Sequence, residues 1–387
     1  MNLVEVSVVI PSLNEARTIG KCIEKIKTVF SQYNIDGEII VADNSEDNTP
    51  QIARSLGAKV VVPDKRGYGY AYLYAFKHAR GKYIVLGDAD NTYDFLEMPK
   101  LLEPLMEDEA DIVIGSRFKG EIKKGAMPWH HKYIGNPILT GFINLFYKAG
   151  VSDGHSGFRA IKRDALEKMK LRSYGMEFAS EMIIEAVRRK LRIKEVPITY
   201  YPREASESKL NSFSDGWRHL KFMLIYAPTY LYMIPGLAFC LMGALLMLFS
   251  YFRVYIGYTP GFHSMILGSL LVILGYEVFL LGIFARIYGV RFDLFDADKV
   301  TKFVLERISL EKGVAIGSAI FLAGVVYSLT LVVKWIVSGY TSLPLKGEDM
   351  IAFTLLVIGL QTIFNSFFLS MLSNWKRSGH NDEKVYC

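Results

Sequence analysis

Cysteine is scarce in this chain, and the three cysteines present are far apart. Cys22, Cys240 and Cys387 show no paired spacing among the 387 residues. This pattern excludes a disulfide framework and a thiolate zinc site, and it suits a reducing compartment. A dinucleotide-binding glycine fingerprint is also missing, because Gly67-Tyr68-Gly69 lacks the third glycine. We therefore interpret that segment as a plain turn, and a dehydrogenase is disfavoured.

The opening of the chain lacks the features of a secretory signal. Its apolar run at residues 4–11 is too short and has no basic leader, so it predicts a buried first strand. We therefore expect the first half of the chain to stay in the cytoplasm. The formal net charge of +6 suits contact with anionic lipid or phosphate groups. We expect no nucleic-acid partner.

Long apolar runs are confined to the second half of the chain. Four segments each reach the roughly 20 residues that cross a bilayer. They lie at about 226–251, 265–288, 314–337 and 350–372. Lysine and arginine are concentrated after the second and fourth segments, whereas the other loops hold mainly Arg253 and Lys346. The positive-inside rule therefore predicts that the first half and both termini are cytoplasmic.

Two features near the apolar segments have more than one interpretation. Glu277 and Arg286 lie within or near the end of the second segment, where we favour a helix-packing pair or snorkelling over a substrate path. A shorter apolar run at 137–147 is either a buried core helix or an interfacial helix that touches lipid. Its aromatic and basic flank at 127–133 favours the interface.

The first half alternates short β-branched runs with amphipathic stretches. Strands are predicted at 4–12, 37–45, 58–64, 81–90 and 110–118. This alternation predicts an α/β fold with a mostly parallel, Rossmann-like sheet that has helices on both faces. Ligands of such sheets bind beyond the carboxyl ends of the strands. Polar clusters lie at the carboxyl ends of four of these strands, at 12–15, 43–45, 88–90 and 116–117. We therefore expect one site at that edge.

Two carboxylates, Asp88 and Asp90, lie at the end of the fourth predicted strand, after its apolar residues. One residue apart, they could share a hard cation and a ribose hydroxyl, and a cation that bridges two phosphates stabilises a departing nucleotide diphosphate. Asp43, at the end of the second strand, could accept from a base N–H or a ribose hydroxyl. We assign Asp47 and Thr49 to helix capping.

Six motifs, in order along the chain, give a resemblance to a known family. They are PSLNE (11–15), ADNSEDNT (42–49), GDADNTYDF (87–95), GSRF (115–118), SGFRA (156–160) and EVPITYYPREASESKL (195–210). Together they resemble family 2 glycosyltransferases of GT-A fold, and within them the polyprenyl-phosphate (dolichyl-phosphate) hexose synthases. The resemblance covers roughly residues 4–225. Leu13, Ala42 and Asn44 depart from the family pattern, and Thr92 stands where a glutamine is usual beside the metal.

The resemblance implies roles for particular residues. Asp43 would contact the nucleobase, Asp88 would reach the ribose, and Asp88 and Asp90 would hold Mg²⁺ or Mn²⁺. The donor-binding residues would be Pro11, Asn14, Glu15, Asp43, Asp88 and Ser156. The catalytic residues would be Asp90, Arg117, Arg203 and Lys209. The three cations among them would serve the donor diphosphate and the acceptor phosphate, since arginine grips phosphate bidentately and lysine supplies a point charge.

A catalytic base is hard to name from the sequence. A lipid monophosphate has its second pKa near 6, so as an acceptor it would arrive already deprotonated. His155 is the nearest candidate for a base, although we favour a structural role for it. Glu177 and Glu181 share one face of a predicted helix. Three interpretations of this pair are open: the glutamates order the acceptor loop, they contact sugar hydroxyls, or they form a solvated face.

The leading hypothesis is inverting transfer of a hexose from UDP-glucose or GDP-mannose to a polyprenyl or dolichyl phosphate. The segments 175–178 and 125–137 resemble glucose-type synthases and favour UDP-glucose. The alternative is a family 2 transferase that elongates a lipid-linked or surface polysaccharide, but the chain contains no QxxRW motif. A transporter or flippase with a nucleotide-binding domain is disfavoured, because the apolar segments lack clustered polar residues.

These hypotheses imply a division of the chain. We expect a cytoplasmic catalytic domain at 1–211 and an amphipathic juxtamembrane segment at 212–225. A four-helix transmembrane domain would follow at 226–374, and a cytoplasmic tail at 375–387. Membrane lipid is then a partner, and a homo-oligomer is left open.

Overall fold

The computed structural model describes residues 4–204, 212–292, 294, 297–341, 343 and 346–374. The chain divides into two compact units between Met223 and Leu224. This division lies two residues before residue 226, where the sequence predicts the start of the membrane domain.

The first unit is built on a seven-stranded sheet. Its strands are β1 Val6–Ser12, β2 Gly37–Asp43, β3 Lys59–Val61, β4 Tyr83–Leu86, β5 Ile112–Ile122, β6 Arg159–Lys162 and β7 Ile193–Tyr200. The order is β3-β2-β1-β4-β6-β5-β7, and β6 runs antiparallel to both its neighbours. The other pairs are parallel, which confirms the predicted mostly parallel α/β sheet. β6 and β7 were not predicted.

Helices cover both faces of the sheet. The α-helices of the first unit and of the junction are α1 Ile19–Gln32, α2 Thr49–Ser55, α3 Tyr68–Phe76, α4 Met98–Met106, α5 Asn136–Tyr147, α6 Arg163–Lys168, α7 Phe178–Arg188 and α8 Ser212–Ile225. In β1, Val8 and Ile10 belong to the core beneath α1, whereas Val9 belongs to the core beneath α3 and α7. Both faces of the strand are therefore buried, as its nearly continuous apolar sequence requires.

The run at 137–147 forms α5, and it is buried on one side. Thr140 and Ile143 are buried, whereas Ile138 and Leu145 are exposed. Trp129, in the flank before the helix, is 67% exposed. The helix is therefore amphipathic, which is the pattern of an interfacial helix and not of one buried on all sides.

The second unit contains four helices long and apolar enough to cross a membrane. The spans are Thr229–Tyr251, Phe262–Arg291, Leu310–Val337 and Gly347–Ser373, and they confirm the four predicted segments. Their α-helices are α9 Ile234–Tyr251, α10 Phe262–Arg291, α12 Leu310–Val337 and α13 Gly347–Asn374, with a short α11 Lys299–Arg307 between the second and third.

Small residues let these helices pack closely. A Cβ added at Gly243 of α9 would lie 2.5 Å from the carbonyl oxygen of Gly268 on α10, so the backbones touch there.

Glu277 accepts a hydrogen bond from the Gln361 amide of α13 at 3.2 Å. Arg286 forms an ion pair with Asp298 at 3.0 Å. The two charged residues noted in the sequence thus have different partners, and Glu277 joins two packed helices.

Candidate active site

The polar ends of the parallel strands lie along one edge of the sheet. β2, β1 and β4 are neighbours, and β5 has the same direction as β4 because both are antiparallel to β6. The residues that follow these four strands, and the loop that enters β6, therefore share this edge. The topology accordingly brings together the polar clusters at 12–15, 43–45 and 88–90, and the cluster at 116–117 lies within β5, just beyond its residues paired with β6.

The ends of β1 and β2 are tied to each other by short polar contacts. Asn14 has a left-handed backbone, with φ of 55°. It donates its N–H to the Ser45 hydroxyl at 2.6 Å and accepts at Oδ1 from the N–H of Glu46 at 2.9 Å. The buried Asp43 carboxylate accepts from the Ser45 hydroxyl at 2.5 Å and from its N–H at 3.2 Å. These contacts fix Asp43 at the edge of the sheet.

Glu15 and Asp47 connect the same two loops. Glu15 is buried, and its N–H donates to the Thr49 hydroxyl at 2.9 Å. Its carboxylate accepts from the Thr18 hydroxyl at 3.3 Å. Burial acts to raise the pKa of Asp47, but hydrogen bonds from Thr49 and Ala16 outweigh it and lower that pKa. Asp47 therefore joins the two loops as well as supporting the start of α2.

The Asp88 carboxylate is held on two sides. Its Oδ1 accepts from the Tyr68 hydroxyl at 3.0 Å. Beside Oδ2 the chain passes so close that a Cβ added at Gly157 would lie 2.8 Å away. Gly157 in turn donates its N–H to the Tyr93 hydroxyl at 2.8 Å. Burial, followed by the proximity of Asp90, raises the pKa of Asp88 to about 7.

The two oxygens of Asp90 have different partners. Oδ1 accepts from the Thr92 hydroxyl at 2.6 Å and from its N–H at 3.0 Å. Oδ2 accepts from Nε and Nη2 of Arg203 at 2.9 and 2.5 Å. Thr92, which stands where the family has a glutamine, therefore orients Asp90. Arg203 places a guanidinium directly beside the second acidic residue of the pair.

The segment that carries Arg203 lies alongside the loop after β4. Tyr201 donates its N–H to the Thr92 carbonyl at 2.9 Å. The Asn91 amide donates to the Glu204 carboxylate at 2.8 Å. These contacts hold residues 201–204 next to the acidic pair.

Arg117, near the middle of β5, forms a buried ion pair with Asp153. Its Nε and Nη2 donate to the two carboxylate oxygens at 2.7 and 2.8 Å, and its backbone N–H donates to one of them at 3.0 Å. Burial acts to raise the pKa of Asp153, but Arg117 outweighs it and lowers that pKa. The Arg117 guanidinium also lies 5.2 Å from the centre of the Tyr200 ring. Its charge is therefore shared with Asp153.

Arg159 is fully buried and holds the loop before β6. Its guanidinium donates to the carbonyls of Gly154, Ser156 and Ala179 at 3.0, 2.8 and 2.8 Å. Ser156, a predicted donor-binding residue, is itself buried. Arg159 thus fixes the turn that passes beside Asp88.

His155 belongs to a cluster with Ser180 and His219. The Ser180 hydroxyl lies 3.3 Å from Nε2 of His155 and 2.8 Å from Nδ1 of His219. Burial, followed by the neighbouring His219, lowers the pKa of His155 well below its usual value. Burial lowers the pKa of His219 to about 4. Both imidazoles are therefore neutral near pH 7, which favours a structural role for His155.

The two glutamates at the start of α7 order the preceding segment. Glu181 is buried and accepts from the N–H groups of Arg172 and Ser173 at 2.8 and 2.9 Å. Glu177 accepts from the N–H of Gly175 at 3.1 Å. Burial of Glu181 excludes the interpretation of this pair as a solvated face.

Most of the predicted site residues lie at the carboxyl edge of the sheet or in loops that enter it. They are Pro11, Asn14, Glu15, Asp43, Asp88, Asp90, Ser156 and Arg203, with Arg117 in β5. Lys209 lies outside the described residues. The sequence did not predict the roles of three residues. Tyr68 was assigned to a plain turn. Asp153 pairs with a residue distant in the sequence, and Arg159 donates to backbone carbonyls. The glycines around Tyr68 were its one local signal.

The acidic pair fits a divalent cation that shares its ligands with a substrate. Within the described parts of the chain, no group of three His, Cys, Asp or Glu side chains forms a metal site. Mg²⁺, however, is usually bound through one or two carboxylates together with substrate phosphates and water. Two hard carboxylates at a strand end match that donor set.

Comparisons with known proteins cover both units. The family model described as "Glycosyl transferase family 2" matches residues 7–170, and that described as "Glycosyltransferase family 2 C-terminal transmembrane region" matches residues 283–373. Among solved structures, glucosyl-3-phosphoglycerate synthase from Mycobacterium tuberculosis is similar over 57% of this chain and 79% of its own. That match has 23% identity and a TM-score of 0.47.

Curated relatives extend the match to nearly the whole chain. A "Low-salt glycan biosynthesis hexosyltransferase Agl6" from Haloferax volcanii is 49% identical over 369 residues, which cover 95% of this chain and 88% of the relative. A "Dolichyl-phosphate hexose transferase" from the same organism is 33% identical over 55% of this chain and 89% of its own. A "Dolichol-phosphate mannosyltransferase" from Pyrococcus furiosus is 31% identical over 53% of this chain and 59% of its own.

Proposed function

Since the chain belongs to glycosyltransferase family 2, we propose that it transfers a hexose from a nucleotide-sugar to a polyprenyl phosphate, with inversion at the anomeric carbon. The observation that carries this proposal is the juxtaposition of Asp88 and Asp90 at the edge of the sheet with Arg203. A carboxylate pair suits a donor diphosphate with its cation, and the adjacent guanidinium suits a second phosphate.

The donor would lie across the ends of β1, β2 and β4. Asp43 would accept from the nucleobase, and Asp88 would accept from the ribose. Asp90, together with Asp88, would hold Mg²⁺ or Mn²⁺, which when bound neutralises charge on the departing nucleotide diphosphate. The short contacts around Asp43 and the clamp around Asp88 support these roles, because both carboxylates are held in fixed orientations.

The acceptor phosphate would supply its own nucleophile. One of its oxygens attacks the anomeric carbon while the bond from that carbon to the nucleotide diphosphate breaks, so no proton has to be removed at neutral pH. His155 is poorly suited to serve as a base, because its pKa is lowered and its Nε2 lies within hydrogen-bond distance of Ser180. Catalysis would consist of positioning and of charge stabilisation.

Cations would offset the repulsion between the two phosphates. Arg203 is the best supported of the three predicted cations, since it lies beside Asp90 and its side chain is 28% exposed. Arg117 shares its charge with Asp153, so we assign it to shaping the site beneath the sugar. Lys209, outside the described residues, remains a proposed acceptor contact from its motif alone.

The catalytic unit would lie on the cytoplasmic side of the membrane. The chain has four membrane-spanning candidates and a family 2 transmembrane region, so it is a membrane protein. The lysine and arginine excess between the second and third spans supports cytoplasmic orientation. The exposed apolar side of α5 supports contact between the catalytic unit and lipid.

A second candidate is extension of a lipid-linked saccharide by a hexose. The name of the relative at 49% identity, a glycan biosynthesis hexosyltransferase, favours it. This reaction must remove a proton from a sugar hydroxyl, and His155, the base candidate from the sequence, is poorly suited to that task because its pKa is lowered and its Nε2 lies within hydrogen-bond distance of Ser180. We therefore rank it second.

A donor panel tests the proposal. Membranes that contain the protein are incubated with polyprenyl phosphate and with radiolabelled UDP-glucose or GDP-mannose, and organic extraction recovers the lipid product. We expect one of the two labels to enter the lipid fraction and the product to be labile to mild acid. If neither label enters lipid, while a lipid-linked saccharide accepts it, the second candidate is correct.

A further inference from the structure

Tyr68 lies at the start of α3, where the backbone is packed against another segment. A Cβ added at Gly67 would lie 2.4 Å from the carbonyl oxygen of Tyr174, and one at Gly69 would lie 2.3 Å from that of Ser173. Side chains larger than hydrogen therefore do not fit on either side of Tyr68. The two glycines allow a backbone contact that fixes where the tyrosine ring enters the site.

The Tyr68 hydroxyl contacts one oxygen of the Asp88 carboxylate, Oδ1, at 3.0 Å. Among the described residues, Tyr68 is the one side chain that donates a hydrogen bond to Asp88. The second torsion of an aspartate side chain is soft, so a buried carboxylate with few partners can rotate. A single well-placed hydroxyl is therefore enough to select its orientation.

The other oxygen, Oδ2, faces Gly157. A Cβ added there would lie 2.8 Å from Oδ2 and 3.1 Å from the Tyr68 hydroxyl. Gly157 is held in place by Tyr93, whose hydroxyl accepts its N–H at 2.8 Å. The carboxylate thus lies between a tyrosine hydroxyl and a position that tolerates only hydrogen.

We propose that Tyr68 is a positioning residue of the donor site: its hydroxyl holds the Asp88 carboxylate in the orientation that receives the donor nucleotide, and Gly157 leaves room for it. This rests on the proposed function, because it takes Asp88 as a contact to the nucleotide. It also gives a function to the Gly67-Tyr68-Gly69 segment, whose sequence alone resembles a plain turn.

Tyr72 provides a matched control for Tyr68. It lies one turn further along α3, its ring is 5.2 Å from that of Tyr68, and it is almost completely buried. Its hydroxyl makes a long contact, 3.4 Å, with the Gly87 carbonyl and also interacts with the Tyr68 hydroxyl, but within the described residues it donates no hydrogen bond to Asp88. Both tyrosines can be changed to phenylalanine without loss of ring volume.

The experiment compares Tyr68→Phe and Tyr72→Phe in the full-length, detergent-solubilised protein. Binding of UDP and of GDP, each with MnCl₂, is measured by calorimetry. Tyr68→Phe should weaken binding of the preferred nucleotide by about tenfold, the scale of one hydrogen bond to a charged group. Tyr72→Phe should change it by less than about twofold. The KM for the nucleotide-sugar should rise with Tyr68→Phe while the KM for the lipid acceptor stays unchanged.

A second pair of variants tests the same carboxylate from its other side. Gly157→Ala should weaken nucleotide binding as Tyr68→Phe does, because the new methyl group would displace Oδ2 of Asp88. Gly216→Ala, where an added Cβ meets no atom within 4 Å, should not.

The outcomes separate this inference from the proposed function. If the wild type binds nucleotide and Tyr68→Phe binds it equally well, the positioning role is wrong and the proposed function stands. Equal losses for Tyr68→Phe and Tyr72→Phe, or a rise in both KM values, would reduce Tyr68 to packing. If the wild type binds neither UDP nor GDP with Mn²⁺, both are overturned.

Discussion

Replacing Arg203 by alanine should have opposite effects on sugar transfer and on cation binding. Nε and Nη2 of the arginine lie 2.9 and 2.5 Å from Oδ2 of Asp90. The arginine side chain is 28% exposed and the carboxylate 9%, so solvent screens the pair in part. Charge-assisted hydrogen bonds contribute about 1.5–3 kcal/mol each, and this exposure favours the lower end of that range.

Loss of the guanidinium removes a cation that would offset repulsion between donor and acceptor phosphates. We expect the rate of transfer to fall by at least about tenfold, since about 1.4 kcal/mol in the barrier is a factor of ten. The same change removes a positive charge beside Asp90. Mn²⁺ carries two charges, so a guanidinium about 4 Å away would repel it by about 2 kcal/mol in a water-like dielectric, and the affinity for Mn²⁺ should rise roughly 30-fold.

Steady-state transfer to polyprenyl phosphate and calorimetric titration with MnCl₂ measure the two effects. Lys21→Ala is the matched control, because Lys21 pairs with Glu204 on the same segment but both side chains are largely exposed. Such pairs contribute about 0–1 kcal/mol, and we expect little change in either quantity. The reasoning would be refuted if Arg203→Ala transferred sugar at the wild-type rate, or if its affinity for Mn²⁺ fell together with its rate.

Three further predictions concern the metal, the topology and pH. EDTA should abolish transfer and Mn²⁺ or Mg²⁺ restore it, and Asp90→Ala should lose nearly all activity at unchanged Tm; full activity in chelator would contradict the metal assignment. Cysteines introduced at Lys302 and at Ser342, which lies outside the described residues, should label from opposite sides of the membrane, and labelling from one side would exclude the predicted topology. The free energy of unfolding of the catalytic unit should fall as pH drops from about 6.5 toward 4, because the pKa of His219 is lower in the folded state than in the unfolded state. His219 should contribute up to about 1.4 kcal/mol per pH unit to the slope, which should become shallower in His219→Gln but not vanish, because the pKa of His155 is lowered as well; an unchanged slope would exclude a contribution from His219.

Local sequence patterns predicted the parts of this fold that local forces determine. Each membrane span is a continuous apolar run, and β1, β2 and β4 are buried strands rich in β-branched residues, so composition alone identifies them. β6 has only four residues, two of them basic, and it becomes a strand because β4 and β5 flank it. Such pairing depends on residues far apart in the chain, which no local period records.

The candidate site shows the same division. Asp88, Asp90 and Asp43 could be predicted because each lies at or just beyond the end of a strand, and strand ends meet at one edge. The partner of Arg117 could not, since Asp153 lies 36 residues away in a loop. Burial of Glu181 was equally hidden, because its partners are backbone N–H groups of residues 172 and 173. Tyr68 was missed because a hydroxyl contact over 20 residues leaves no motif.

The acceptor is the point on which the proposed function depends most directly. The measurement compares polyprenyl phosphate, unphosphorylated polyprenol and a lipid-linked saccharide, each with the preferred labelled nucleotide-sugar, in the wild type and in Arg203→Ala. We expect label in the polyprenyl phosphate alone, and a strong loss of it in Arg203→Ala. Turnover with the saccharide and none with polyprenyl phosphate would contradict the proposed function and establish the saccharide-extending reaction instead.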